Sequence, residues 1–136
     1  LRHNGISGTS IHKAKSILKD TATGIFDGRI QVNHCARHTK TNQHSKAILL
    51  NNHAFMKSKP QLEIYIDELE ASHGSTIGQL DEAALFYLCS RGITTDKARK
   101  MLILAFANEM IEEVQESSLA EQIRDDFESA YHEEKG

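Results

Sequence analysis

The part of the chain that decides its fold is residues 59–93, which read KPQLEIYIDELEASHGSTIGQLDEAALFYLCSRGI. Apolar and more polar residues alternate from Leu62 to Ile66, and this period of two predicts a β-strand with one buried face. The chain's one proline, Pro60, directly precedes that strand, where a missing N–H costs least. After Leu80 the apolar residues recur at helical spacing instead. The stretch therefore predicts a change from strands to helices near residue 80.

The residues before this stretch form short apolar segments that polar turns separate. Residues 25–26 and 30–32 lie on either side of the turn signal Asp27-Gly28, which predicts two strands that turn at this point. Residues 33–46 are almost wholly polar and separate this pair from the next strand. A sandwich, a small barrel and stacked rungs of a β-helix all remain open, because the spacings are irregular.

Two helices are predicted directly after residue 80. Asp81 is a candidate N-cap for the first, and Gly92 is a candidate C-terminal stop. The second is expected to start at Thr94 or Thr95 and to run through Val114. Its segment 101–107 is apolar on all sides, which predicts burial on several sides or against a partner.

A third helix is predicted at the end of the chain. Ser118 and Glu121 have the spacing of a capping box, which marks a helix start. The following apolar residues form one stripe on an acidic helix: Leu119, Ile123, Phe127, Ala130 and Tyr131. We therefore expect two domains, a β part over residues 1–80 and a three-helix part over residues 81–136.

Composition and charge exclude several classes of function. The net charge of −3 divides into +3 over residues 1–94 and −6 over residues 95–136. This division provides no concentrated basic stripe, so binding to nucleic acid is not expected. No apolar run approaches the roughly 20 residues of a transmembrane helix. Two cysteines are too few for a disulfide framework, and a reducing cytoplasm is expected. Because the sequence opens on Leu1 without a signal pattern, we expect a fragment of a longer protein.

Histidines and one cysteine are the candidates for chemistry. His73 lies in a run of small residues, interpreted as a turn, where an imidazole is either an exposed ligand and proton carrier or a partner of a turn carbonyl. Cys35 lies near His34, His38 and His44, and a thiolate with imidazoles could hold iron or zinc. The alternative for that group is a polar surface turn. Cys89 is interpreted as a small core residue.

Residues 59–93 resemble the C-terminal signature of the SufB/SufD family of iron-sulfur cluster assembly proteins, and of its SufD branch in particular. A weaker resemblance extends from about Gly24 to about Met110. It implies the last rungs of a right-handed β-helix, followed by a small three-helix domain. Family members of the SufD branch typically have cysteine where this chain has Ala71, two residues before His73. Cys89 also departs from the family, which usually has arginine there.

The resemblance also implies a function. The chain would be a non-enzymatic scaffold that pairs with a SufB-like subunit and docks the ATPase SufC, with His73 as cluster-assembly residue and transient metal ligand. The expected SufC contacts are Arg91, Gly92, Ile93 and Thr94. No stably bound cofactor is expected, only transient iron and sulfide or a nascent cluster, because iron-sulfur clusters prefer thiolates. Pairing of two copies through the open β-helix end is a further expectation. The alternative is a metal-dependent enzyme on a β-helix or cupin-like body that uses its histidines.

Overall fold

The computed structural model describes residues 1–132 and contains six strands and three helices in that range. The chain forms two compact units, Leu1–Gln79 and a second that begins at Leu80. The strands are β1 (Arg2–His3), β2 (Thr9–Leu18), β3 (Thr23–Val32), β4 (Thr39–Leu49), β5 (Phe55–Ile64) and β6 (Leu69–Gly78). The helices are α1 (Glu82–Ser90), α2 (Thr95–Ile111) and α3 (Ser117–His132).

Successive strands alternate between two parallel sheets, with strand orders β1-β3-β5 and β2-β4-β6. We define a rung as an even-numbered strand with the odd-numbered strand that follows it, so β6 begins a third rung. Paired residues on neighbouring rungs are separated by nearly constant intervals: 31 residues for Ser10 and Thr41, and 30 for Asn42 and Ser72. The predicted β+α fold class is confirmed. The stacked rungs are consistent with a β-helix, whose right-handed sense stays a prediction.

Two apolar clusters occupy part of the interior of the strand unit. One contains Leu18, Ala47, Ala54 and Met56, and the other contains Ile30, Val32 and Ala36. Alternate residues in the first half of β4 are also buried although they are polar, and the hydroxyls of the two threonines among them are hydrogen-bonded. Thr39 Oγ1 donates to the Ala36 carbonyl at 2.7 Å, and Thr41 shares a 2.7 Å hydrogen bond with Ser10. Burial of these groups is tolerated because each has a partner.

The predicted turn at Asp27-Gly28 is wrong, because both residues lie inside the continuous strand β3. Gly28 lies in the interior, where an added Cβ would come within 2.7 Å of Phe26 Cζ and would also overlap the Gln43 amide. The glycine therefore allows close packing here and forms no turn. The position expected for Pro60 is also wrong, since it lies within β5. Among the described strands β5 pairs with β3 alone, and an edge strand tolerates proline.

The helix starts predicted at residues 81 and 94–95 are confirmed. Asp81 Oδ1 accepts hydrogen bonds from the backbone N–H groups of Ala83 at 2.9 Å and Ala84 at 3.1 Å. Gly92 has a φ of +86°, the left-handed conformation that stops a helix after its last turn. Helix α2 ends at Ile111, earlier than expected, and its Ile103 is only 2% exposed.

The capping box predicted for the third helix does not form. The Ser118 hydroxyl donates to Glu116 Oε1 at 2.8 Å, and α3 already begins at Ser117. Glu116 therefore precedes the helix, and its backbone carbonyl accepts the N–H of Ala120 at 3.0 Å. Of the predicted stripe, the side chain of Tyr131 lies outside the described residues, as do residues 133–136 of the predicted helical domain. No helix within residues 1–132 is both long enough and apolar enough to span a membrane.

Candidate functional site

His73 lies in the middle of strand β6 and is exposed. The interpretation of its surroundings as a turn was wrong, because residues 69–78 pair in register with β4 over their whole length. The small residues Ala71, Gly74 and Ser75 do not bend the chain here. They fit a strand in which neighbouring rungs approach closely, and a Cβ added at Gly74 would lie 3.0 Å from Nδ1 of His44.

The pairing places His73 on the interior face of its sheet. It is in register with Gln43, which is in turn in register with His12. Side chains in register on parallel strands point to the same face. Gln43 is 0% exposed, and the His12 ring lies 5.7 Å from the ring of Phe26, an interior residue of the opposite sheet. We call these three side chains, His12, Gln43 and His73, the interior polar row.

The two ends of the interior polar row are accessible, whereas its centre is closed. His12 and His73 are both exposed, and Gln43 lies between them. Among the strands that the structure describes, β6 has no partner on the side away from β4, and no strand of the other sheet completes its rung. His73 is exposed at the open rung for this reason, although it faces the interior.

Hydrogen bonding within the row is incomplete. Gln43 Nε2 lies 3.1 Å from His12 Nδ1, where the amide donates and the ring nitrogen accepts. Gln43 Oε1 is buried and has no hydrogen-bond partner within residues 1–132, and the same holds for the Ser58 hydroxyl on β5. Buried acceptors without partners are rare in native proteins, so these two groups point to a donor absent from these contacts.

Ala71 is the neighbour of His73 on the interior face of β6 and is in register with Thr41. Its methyl group offers neither sulfur nor another metal-binding atom. The outer face of the same region carries two clefts of about 310 and 500 Å³, which share Lys40 and Glu70 in their walls. These two side chains form an ion pair of 2.9 Å, so they neutralise each other.

The other candidate metal ligands are not brought together. Cys35 lies in a loop, exposed, and its thiol donates to the Asn4 carbonyl at 2.9 Å. His34 lies 5.5 Å from the Tyr65 ring, whereas His44 belongs to the outer face of β4. Within the described part of the chain, no group of three or more histidine, cysteine or acidic residues is placed to hold a metal ion.

The loop between α1 and α2 is exposed except for the half-buried Ile93. The Arg91 guanidinium lies over the Tyr87 ring at 5.4 Å, and the Ile93 N–H donates to the Leu88 carbonyl at 3.3 Å. Two large side chains in the middle of α1 face solvent, Phe86 at 76% and Tyr87 at 57% exposure. Helix α1 and the loop after it thus present an aromatic surface with one cation.

The residues that sequence reasoning missed are His12 and Gln43. The signal that could have found them is the spacing of the interior polar row, since His12 and Gln43 are 31 residues apart and lie in register on neighbouring rungs. His73 follows Gln43 by nearly the same interval. A repeat of this length was hidden because most residues in register along β2, β4 and β6 are polar, and apolar pairs such as Ile17 and Ile48 are few.

Comparison with known proteins places the chain in a family. A family model described as "SUF system FeS cluster assembly, SufBD core domain" matches residues 1–106. The chain is 37% identical over 123 residues, 90% of its length, to the iron-sulfur cluster assembly protein SufD of Escherichia coli, covering 29% of that protein. It is 34% identical over 91% of its length to the chloroplastic protein ABCI7 of Arabidopsis thaliana, covering 26% of it.

A third relative is an iron-sulfur cluster assembly SufBD family protein of Synechocystis, with 35% identity over 91% of the chain and 27% of the relative. The chain thus spans little more than a quarter of the length of the curated relatives it matches. The family model nevertheless covers well over half of the chain, and the strands and interior polar row described above lie within the matched residues. The chain therefore belongs to the SufB/SufD family and is SufD-like.

Proposed function

We propose that this chain is part of a scaffold subunit on which iron-sulfur clusters are assembled, with His73 at the assembly site. The observation that carries the proposal is the position of His73, an exposed imidazole that faces the interior at the open third rung of a SufD-like chain. An imidazole in this position is accessible to a second subunit. A histidine buried inside a completed rung would not be.

The chemistry proposed for His73 is to donate a ring nitrogen to iron, or to carry a proton, while the cluster forms. Neutral imidazole is a common metal ligand, and histidine changes its charge near neutral pH. One nitrogen does not hold a cluster, because iron-sulfur clusters are usually bound by several thiolates. With Ala71 in place of a thiol, the remaining ligands would come from a partner. Iron and sulfide are then substrates that pass through the site, and the scaffold itself is not an enzyme.

The partner at this site would be a SufB-like subunit. Strands β5 and β6 are both edge strands among those described, and free edges provide backbone N–H and C=O groups for another chain. His73 lies on one of these edge strands. Pairing at the edge would therefore bring the partner's ligands close to the imidazole.

A second contact is proposed with a SufC-like ATPase through Arg91, Gly92, Ile93 and Thr94. The support for it is the aromatic surface beside this loop, because Phe86 and Tyr87 are more exposed than large apolar residues usually are. Aromatic residues and arginine are enriched in protein interfaces. ATP hydrolysis would take place in the partner, whose two states would bind the scaffold with different affinities.

The test is cluster assembly by the reconstituted complex of the full-length scaffold, a SufB-like subunit and a SufC-like ATPase. We expect His73→Ala to abolish cluster formation, followed by the visible absorbance of the cluster, while complex formation stays unchanged. His44→Ala is the matched control, since His44 lies on the adjacent strand but on the outer face. Wild-type assembly by His73→Ala would contradict the proposal.

A further inference from the structure

This inference rests on the side-chain amide of Gln43, in which only one of the two polar atoms is hydrogen-bonded. Its nitrogen is engaged, because Nε2 lies 3.1 Å from His12 Nδ1. Its oxygen is buried and has no hydrogen-bond partner within residues 1–132. A buried acceptor without a donor is costly, so a donor that can reach it will be strongly favoured.

Gln43 Oε1 and the Ser58 hydroxyl on β5, both unpaired within the described residues, do not hydrogen-bond to each other, which leaves the neighbouring rungs to provide the donor. On the side of the first rung, the His12 nitrogen accepts from the amide and Gly28 has no side chain. On the side of the third rung, the residue in register is His73. Neighbouring strands lie only about 4.8 Å apart, and an imidazole has an N–H in either neutral tautomer. A rotation of the exposed His73 ring towards the interior would therefore place an N–H against the free oxygen.

The direction of the amide agrees with this arrangement. Since Nε2 is directed towards the first rung, Oε1 is left for other neighbours. In this orientation the amide N–H donates to His12, whose ring is then the tautomer with a bare Nδ1. The order of the row is then His73 N–H to Gln43 Oε1, and Gln43 Nε2–H to His12 Nδ1.

We propose that Gln43 is a positioning residue for His73: its amide oxygen accepts one imidazole N–H, and so keeps the other ring nitrogen unprotonated and directed away from the interior. A hydrogen bond to one ring nitrogen sets the tautomer and orientation of a metal-ligating histidine. The use of the bare nitrogen as a ligand for iron rests on the proposed function. The hydrogen bond itself does not depend on the proposed function, because both of its residues belong to this chain.

The test is the tautomer of His73, measured in the 136-residue chain by long-range ¹H–¹⁵N correlation. A pH of about 8.5 keeps the rings neutral, because histidine ordinarily titrates near 6.5. We expect the ¹⁵N signals of a single His73 tautomer, in which the same ring nitrogen carries the proton throughout the sample. Gln43→Met, similar in length but without an oxygen, should shift its ¹⁵N signals to the tautomer mixture of the exposed His53. Gln43→Glu keeps an acceptor and should preserve the single tautomer.

Ser45→Ala is the matched control, because Ser45 is a buried polar residue of β4 on the same face as Gln43 but is in register with Ser75 and not with His73. It should leave the His73 signals unchanged. If Gln43→Met does not fold, the exchange of ring N–H protons with water in the wild-type chain provides the test. The His73 N–H should exchange measurably more slowly than that of His53.

Two results would overturn the inference. One is a His73 tautomer mixture equal to that of His53 in the wild-type chain, and the other is an unchanged mixture in folded Gln43→Met. Failure of the proposed function looks different. A single His73 tautomer together with normal cluster assembly by His73→Ala would leave the hydrogen bond standing and remove His73 from assembly.

Discussion

Gly28 and Gln43 lie in the same region of the interior, and the position of the Gln43 amide explains why residue 28 is a glycine. The Gln43 amide extends from one sheet towards Gly28 on the other, where a β-carbon would overlap it. The glycine is therefore required by a side chain on the next strand in the sequence. The free energy of unfolding of this unit is expected to depend on such contacts between rungs, because protein interiors are close-packed.

Replacement of Gly28 by alanine tests this contact. We expect Gly28→Ala to lower the free energy of unfolding by about 1–3 kcal/mol, because the new methyl group overlaps both Gln43 and Phe26. Urea denaturation followed by fluorescence or circular dichroism measures the change. Gly78→Ala is the control, since a β-carbon at Gly78 meets nothing within 4 Å. Equal midpoints for the two variants would show that the interior accommodates the methyl group.

At the scale of elements, helix α2 depends on a small number of buried side chains. Ile103 is 2% exposed, whereas Met101, two residues earlier, is 42% exposed. Burial of segment 101–107 within the chain is thus confirmed for Ile103, whereas burial of Met101 against a partner stays a prediction. Helix α2 contacts both α1 and α3, so Ile103 contributes to a core within the helical unit.

Truncation of this side chain should destabilise the helices. We expect Ile103→Ala to cost about 2–5 kcal/mol, since it leaves a cavity in a packed site. Met101→Ala should cost clearly less because much of that side chain already faces water. The helical circular dichroism signal during urea titration compares the two. A cost for Ile103→Ala no larger than that for Met101→Ala would contradict the assignment of Ile103 to the core.

The helices could be predicted more accurately than the strands, for a physical reason. A helix start such as Asp81 is stabilised by neighbours in the sequence, and its signal is therefore local. In a stack of rungs the partners lie 30 or 31 residues away. Thr39, Thr41, Gln43 and Ser45 are polar but buried, so β4 lacks the alternation that identifies a half-buried strand.

The candidate site was predicted in part. His73 is exposed as expected of a ligand, and its identification depended on the resemblance to the family. Its place within a strand, and its alignment with Gln43 and His12, could not be predicted from local sequence. That alignment follows from the register of three strands, which only the repeat between rungs determines.

At the scale of the whole molecule, the strand unit has an open rung. Strand β6 presents Ile77, 43% exposed, on a face that would be covered in a complete rung. Open edges with exposed apolar residues favour association with another strand. The strand unit by itself thus has a surface suited to a second chain.

Self-association of the isolated chain can be measured directly. We expect a concentration-dependent dimer in sedimentation velocity, and Ile77→Lys should lower the dimer fraction at least several-fold because an inward-pointing charge blocks edge pairing. Ile25→Lys is the control, since Ile25 is 72% exposed on β3, away from the open rung. A chain that stays monomeric at all concentrations would contradict pairing of two copies at this edge.

The nearly constant interval between rungs also makes the strand unit modular. Thr39 and Leu69 are in register, so residues 39–68 form one complete repeat of chain. A tandem duplication of that segment would insert a whole coil without changing which side chains face inwards. Such a longer protein would contain a second glutamine between the two imidazoles, and their separation would grow by one strand spacing of about 4.8 Å. The number of repeats in the sequence would thus set the distance between the two imidazoles.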